Sequence, residues 1–321
     1  MKPAVRRTLR IFLKVLIGLL LFVVACAIIF VVRISRKPEL DAETRRKLGG
    51  SYIHLSLGVT HYEWNRVSDD APLVVLYQGV TVPMMVYDKV VPALNDAGFS
   101  TLRFDWWGRG LSDRPMVTYT TALYARQGME LLDALHIDGA THAVGISLGG
   151  AVVARIAQER PSRIASIVLI GPAVAFSAQQ ASDQKWNFIK ERAKVFKKNP
   201  PLDRNRPLTD PEAFKPHIAK QLAYRGMEWA FLSIGINENQ FDYLTQYRRL
   251  AAQPPVPMAF IWGENDNHFP LSDGRRLARL FPHAEFHVIP GGGHTPHYGQ
   301  SELTNPVLIR FLKNVSGNAA Q

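Results

Sequence analysis

The chain has one cysteine, Cys26, in 321 residues. That excludes an internal disulfide framework and any multi-cysteine zinc site, and leaves the redox compartment open. A Walker A loop is missing, because Gly145–Gly150 lacks the following lysine, and Gly108–Gly110 lacks the third glycine of a dinucleotide fingerprint. No metal and no cofactor is expected. Internal repeats and low-complexity blocks are absent after residue 50. Disorder is excluded, since 47% hydrophobic and 20% charged residues can build a sizeable core. Acidic residues are scarce only at the start. Residues 1–47 hold 11 Lys/Arg against 3 Asp/Glu, or +8 of the net +11, and the remainder holds 27 against 24, only +3. Basicity confined to a tail argues against a nucleic-acid partner.

What is present begins with an apolar run. Residues 15–32 are 18 uncharged positions between basic clusters. As a helix they cover roughly 27 Å, close to the thickness of a bilayer's hydrocarbon core. Lys14 can snorkel and extend the span. A buried core helix rarely runs so long. Ala25-Cys26-Ala27 has the look of a signal-peptide cleavage site and Val23–Cys26 of a lipobox, yet Ile28–Val32 continues the run past both. The expectation is a basic tail (1–14), an uncleaved transmembrane helix (15–32) and a charged linker (33–51) reaching at most about 65 Å. Five basic residues precede the span and six follow it, so the positive-inside rule decides little. The short basic N-terminus favours a single-pass protein of a bacterial inner membrane with its large domain exported.

Beyond residue 51, Tyr52–Leu57 and Thr60–Arg66 alternate around Gly58 as a hairpin. Strands are predicted at Leu73–Tyr77, Ser100–Phe104, Ala140–Val144, Ile167–Ile170, Met258–Trp262 and Glu285–Ile289. Helical patterns fall near 84–97, 119–135, 148–159, 272–281 and 301–314. This alternation implies an α/β class with a mostly parallel sheet covered on both faces. The core spans 52–171 and 256–321. Residues 172–255 show no βα unit and read as an inserted helical cap over the carboxyl edge of the sheet, where ligands bind.

Gly145-Ile146-Ser147-Leu148-Gly149 follows a predicted strand and opens a predicted helix, the context of a nucleophile elbow. A serine hydroxyl needs a base within reach and an acid to orient that base. Asp266 lies just past a strand end, with Glu264 as its rival nearer the strand. His294 follows Gly291–Gly293 after the last strand. His287 sits inside the strand pattern, and His297 could line the site entrance.

These motifs resemble the α/β-hydrolase superfamily over about residues 52–315. Gly145–Gly149, Trp262–Pro270 and Gly291–His297 carry the likeness, together with Phe104–Asp113, which is similar to the D-x-x-G-x-G-x-S loop. The resemblance implies a Ser147–His294–Asp266 triad and an oxyanion hole from the backbone N–H groups of Leu148 and Val80. The loop before Val80 usually begins His-Gly, whereas this chain has Gln78-Gly79, which puts its bracing in question. A serine nucleophile argues against the dehalogenase and epoxide hydrolase branches, which use aspartate.

The substrate is less legible. Segment 185–206 carries Lys185, Lys190, Arg192, Lys194, Lys197, Lys198, Arg204 and Arg206, with Trp186, Phe188 and Phe196 interleaved. Such a segment can lie on an anionic membrane or be an ordinary solvated cap helix. Phe231, Phe241, Tyr243 and Tyr247 suggest an acyl-chain tunnel. With the anchor, the organisation resembles membrane-anchored bacterial phospholipases A and lysophospholipases. That implies hydrolysis of phospholipid, lysophospholipid or monoacylglycerol esters at the bilayer. The alternatives are an esterase or carbon–carbon hydrolase for a small soluble molecule, and a non-catalytic binding module. Expected partners are the ester substrate and the lipid bilayer, and a homodimer is left open.

Overall fold

A computed structural model describes residues 3–195, 221–238 and 240–319. Eight strands form one sheet: β1 (Ser51–Leu55), β2 (Gly58–Asn65), β3 (Leu73–Tyr77), β4 (Ser100–Phe104), β5 (Thr141–Ile146), β6 (Ile164–Ile170), β7 (Met258–Gly263) and β8 (Glu285–Ile289). Their spatial order is β1-β2-β4-β3-β5-β6-β7-β8. The hairpin β1–β2 and the pair β2–β4 are antiparallel, and every other pair is parallel.

The helices are α1 (Pro3–Ser35), α2 (Ala42–Leu48), α3 (Val91–Asp96), α4 (Thr121–Ala134), α5 (Leu148–Glu159), α6 (Ala178–Val195), α7 (Met227–Asn237), α8 (Gln240–Ala251), α9 (Leu271–Ala278), α10 (Pro296–Gly299) and α11 (Ser301–Ala319). The sheet separates two cores because strand side chains alternate. From β3, Val75 and Tyr77 join α4, α5 and α8 on one side, while Val74 and Leu76 join α3 and α11 on the other. Burial on both faces explains why the central strands read as unbroken apolar runs.

Two expectations change. The pattern at 84–97 is not one helix but a 3₁₀ turn at Met84–Tyr87 followed by α3, since Pro92 has no N–H to continue a helix from residue 88. The 33–51 segment is not an extended linker. α1 runs to Ser35, and the chain is then clamped. Lys37 pairs with Glu228 and donates to Leu222 O at 2.7 Å, and the N–H of Arg225 donates to Pro38 O at 3.0 Å. α2, capped by Asp41, is held by an Arg45–Asp113 pair.

α1 contains a 20-residue stretch, Arg10–Ile29, long and apolar enough to cross a membrane, and none of it is buried. It is therefore not a core helix. In the cap region no strand occurs among the described residues. Lys197, Lys198, Arg204, Arg206 and Phe196 lie outside the described residues, as do the side chains of Phe188, Lys190, Arg192, Lys194 and Phe241. Phe231, Tyr243 and Tyr247 are buried.

Candidate active site

Ser147 sits where β5 ends and α5 begins, at φ 54° and ψ −120°. A non-glycine residue rarely holds a positive φ, and the surrounding glycines make this turn possible. A Cβ on Gly145 would lie 2.5 Å from Gly149 O, and one on Gly149 would lie 2.1 Å from Tyr77 O. The turn is tied down by Ser147 N–H to Ile170 O at 3.0 Å and by Ala173 N–H to Ser147 O at 2.9 Å. Ser147 is left half-buried at the carboxyl edge of the sheet.

Asp266 and His294 occupy the loops after β7 and β8, which are zipped together. Asn265 N–H donates to Gly292 O at 2.7 Å, and Glu264 N–H to Ile289 O at 3.0 Å. Asp266 Oδ2 lies 2.9 Å from His294 Nδ1, while its Oδ1 accepts from the N–H groups of His268 (2.8 Å) and Phe269 (3.0 Å). Burial alone would raise the Asp266 pKa, but the charge and hydrogen bond of His294 and the two N–H donors outweigh it and lower it. An ionised Asp266 accepts a proton carried by His294 Nδ1, and in the neutral imidazole this tautomer has its lone pair on Nε2. Ser147 and His294 are not hydrogen-bonded to each other. Such catalytic contacts commonly tighten only with substrate present.

Gly171, at φ +45°, packs against the Asp266–His294 pair. A Cβ there would lie 2.9 Å from Asp266 Oδ2 and 3.4 Å from His294 Nδ1. Sequence reasoning missed it, and also missed His268, whose ring stacks on His294 at 4.6 Å between centroids. The signal for His268 was its place two residues after Asp266; Gly171 gave none beyond following a strand.

The loop before Val80 lies over the serine, since a Cβ on Gly79 would come within 3.4 Å of Ser147 Cβ. Among the described residues, the N–H groups of Val80 and Leu148 have no hydrogen-bond acceptor. Gln78, which stands at the family's histidine position, is fully buried with both amide atoms unpartnered.

The rivals fall into structural roles. Glu264 accepts from Gly291 N–H at 2.9 Å and shapes the turn. His287 pairs with Glu285 at 2.7 Å within β8. His297 does not line an entrance. It is wholly buried beside the Tyr87 ring, and burial, reinforced by the charge of His294, lowers its pKa to about 3.

Asp266, His268 and His294 offer ligand atoms within 4.8 Å of one another and are the residues that could hold a metal ion. The imidazoles of His268 and His294 are stacked, their planes 22° apart.

A family description, serine aminopeptidase, S33, matches residues 69–300. The chain belongs to that family. It is 30% identical over 235 residues to the 2-hydroxy-6-oxononadienedioate/2-hydroxy-6-oxononatrienedioate hydrolase of Paraburkholderia phymatum, covering 69% of this chain and 79% of that one. Among solved structures it is similar to the enol-lactonase from Burkholderia xenovorans, with TM-score 0.67 and 19% identity over 82% of this chain and 100% of that chain. It is also similar to a hydrolase from Pseudomonas aeruginosa, with TM-score 0.64 and 25% identity over 82% and 97%. The S33 hydrolase has the α/β-hydrolase fold its motifs implied, with one apolar N-terminal helix added.

Proposed function

We propose that the protein is a serine hydrolase that cleaves a small carbonyl compound, an ester or a ketone-activated carbon–carbon bond, through Ser147, His294 and Asp266. The observation that carries this reading is the part-buried Asp266–His294 pair at 2.9 Å on the loops after β7 and β8, together with a serine held at positive φ at the end of β5. His294 Nε2 takes the Ser147 proton as the hydroxyl attacks the carbonyl carbon. The N–H groups of Val80 and Leu148 stabilise the resulting oxyanion. As the intermediate collapses, the leaving alcohol oxygen or enol carbon takes the proton from His294. Water, deprotonated in turn by His294, releases the acid and restores Ser147.

The name of the Paraburkholderia relative supports a small soluble substrate. The apolar stretch of α1 supports a second reading, lipid esters hydrolysed at a bilayer. In either case we take α1 as an uncleaved single-pass anchor of a bacterial inner membrane, with the catalytic domain exported.

A panel of p-nitrophenyl butyrate, a 2-hydroxy-6-oxo-dienoate and a lysophospholipid decides between these readings. We expect turnover of the small compounds, indifferent to detergent, and labelling by a fluorophosphonate that disappears in Ser147→Ala. Activity confined to the lysophospholipid would favour the lipid reading, and absence of labelling would remove the enzyme reading.

A further inference from the structure

The unpartnered amide of Gln78 leaves the oxyanion loop without its expected brace, and Arg109 occupies that role from another loop. Arg109 is wholly buried. Its Nε donates to Val80 O at 2.7 Å and its Nη1 to Gly108 O at 3.0 Å, while Nη2 has no acceptor. No carboxylate pairs with it among the described residues. A guanidinium taken out of water without a counter-ion is costly, and a surface residue would avoid it.

The other side of this group faces the cap. The guanidinium lies over the Phe231 ring of α7, 3.9 Å from its centroid. Its loop is pressed against the same helix, since a Cβ on Gly108 would lie 2.4 Å from Ala230 Cβ. Gly110 N–H donates to Gln221 Oε1, ahead of α7 in the cap, at 2.9 Å. A planar fork that bonds with its edge and stacks with its face suits arginine and not lysine.

We infer that Arg109 is a positioning residue that holds Val80 by its carbonyl and so fixes the residue whose own N–H faces the reacting centre, and that Phe231 makes this hold depend on the seating of the cap. The inference rests on the hydrolase reading above and on Val80 as an oxyanion donor. Full-length wild type, Arg109→Lys, Arg109→Met and Phe231→Leu are to be compared on p-nitrophenyl butyrate, with fluorophosphonate labelling of wild type and Ser147→Ala in parallel.

For both Arg109 variants kcat should fall about tenfold to a hundredfold, less than or near the loss of a whole oxyanion donor. KM should stay within about threefold, because the oxyanion forms only after binding. Phe231→Leu keeps apolar volume and should lower kcat about threefold to tenfold with the same KM. A rise in KM at unchanged kcat would overturn the inference by making Arg109 a substrate ligand. Full kcat with a lowered melting temperature would overturn it by making the role structural. If the Arg109 variants do not fold, Phe231→Leu decides, and full kcat there overturns the coupling. Absent labelling of wild type would instead strike the hydrolase reading itself.

Discussion

At the scale of single residues, the proposed triad rests on which proton sits where. Asp266→Asn keeps the shape but presents an amide to His294 Nδ1, favouring the wrong tautomer; kcat should drop about 10⁴-fold while the circular dichroism spectrum is unchanged. Gly171→Ala places a methyl 2.9 Å from Asp266 Oδ2 at a strained φ, so it should cut kcat/KM by at least about tenfold and lower the melting temperature. Ser147, Asp266 and His294 were legible because each follows a strand inside a short turn motif. Gly171 and Arg109 were not, because their meaning lies in neighbours distant in sequence, and Gln78 stood out only as an exchange at the histidine position. A buried amide without a partner and a guanidinium bonded to a carbonyl are facts of packing that no local pattern encodes.

At the scale of elements, β3, β4 and β8 fall on their predicted residues, with Pro72 just before β3 and Pro290 just after β8. The cap was legible only as an interruption of the βα rhythm. Its aromatics sit at helical spacings whether they line a tunnel or fill a core, and only tertiary contacts separate the two. β5 and α10 also carry histidines that tie stability to pH. His142 in β5, held by Ser166 Oγ at 2.8 Å, is lowered by burial to about 4, and His297 in α10 to about 3, from an ordinary value of 6.5. Both are neutral in the folded protein at mildly acidic pH, whereas the unfolded chain binds protons there. Stability is therefore retained above pH 6.5 and lost as pH falls toward 4, with a limiting slope of roughly 1.4 kcal/mol per pH unit for each histidine. Urea midpoints measured from pH 7 to 4.5 should fall, and the fall should be shallower in His142→Asn.

At the scale of the whole molecule, the N-terminal helix and the catalytic body are joined by clamped backbone. Removing residues 1–35 leaves the Lys37–Glu228 and Arg45–Asp113 pairs intact, so the melting temperature should change little. Removing residues 1–50 strips these pairs and the buried side chains of Leu40 and Arg45, and should lower it by several degrees. Differential scanning calorimetry of the two truncations checks this. The sequence made the apolar helix and the folded body plain but presented the stretch between them as a spacer, since charged residues without periodicity look alike whether solvated or docked. Only Arg36 separates the end of α1 from the grip of Glu228 and Leu222 on Lys37, and the same grip reaches the first residues of the helix that carries Phe231. The end of the apolar helix is thus pinned to α7 through a single lysine.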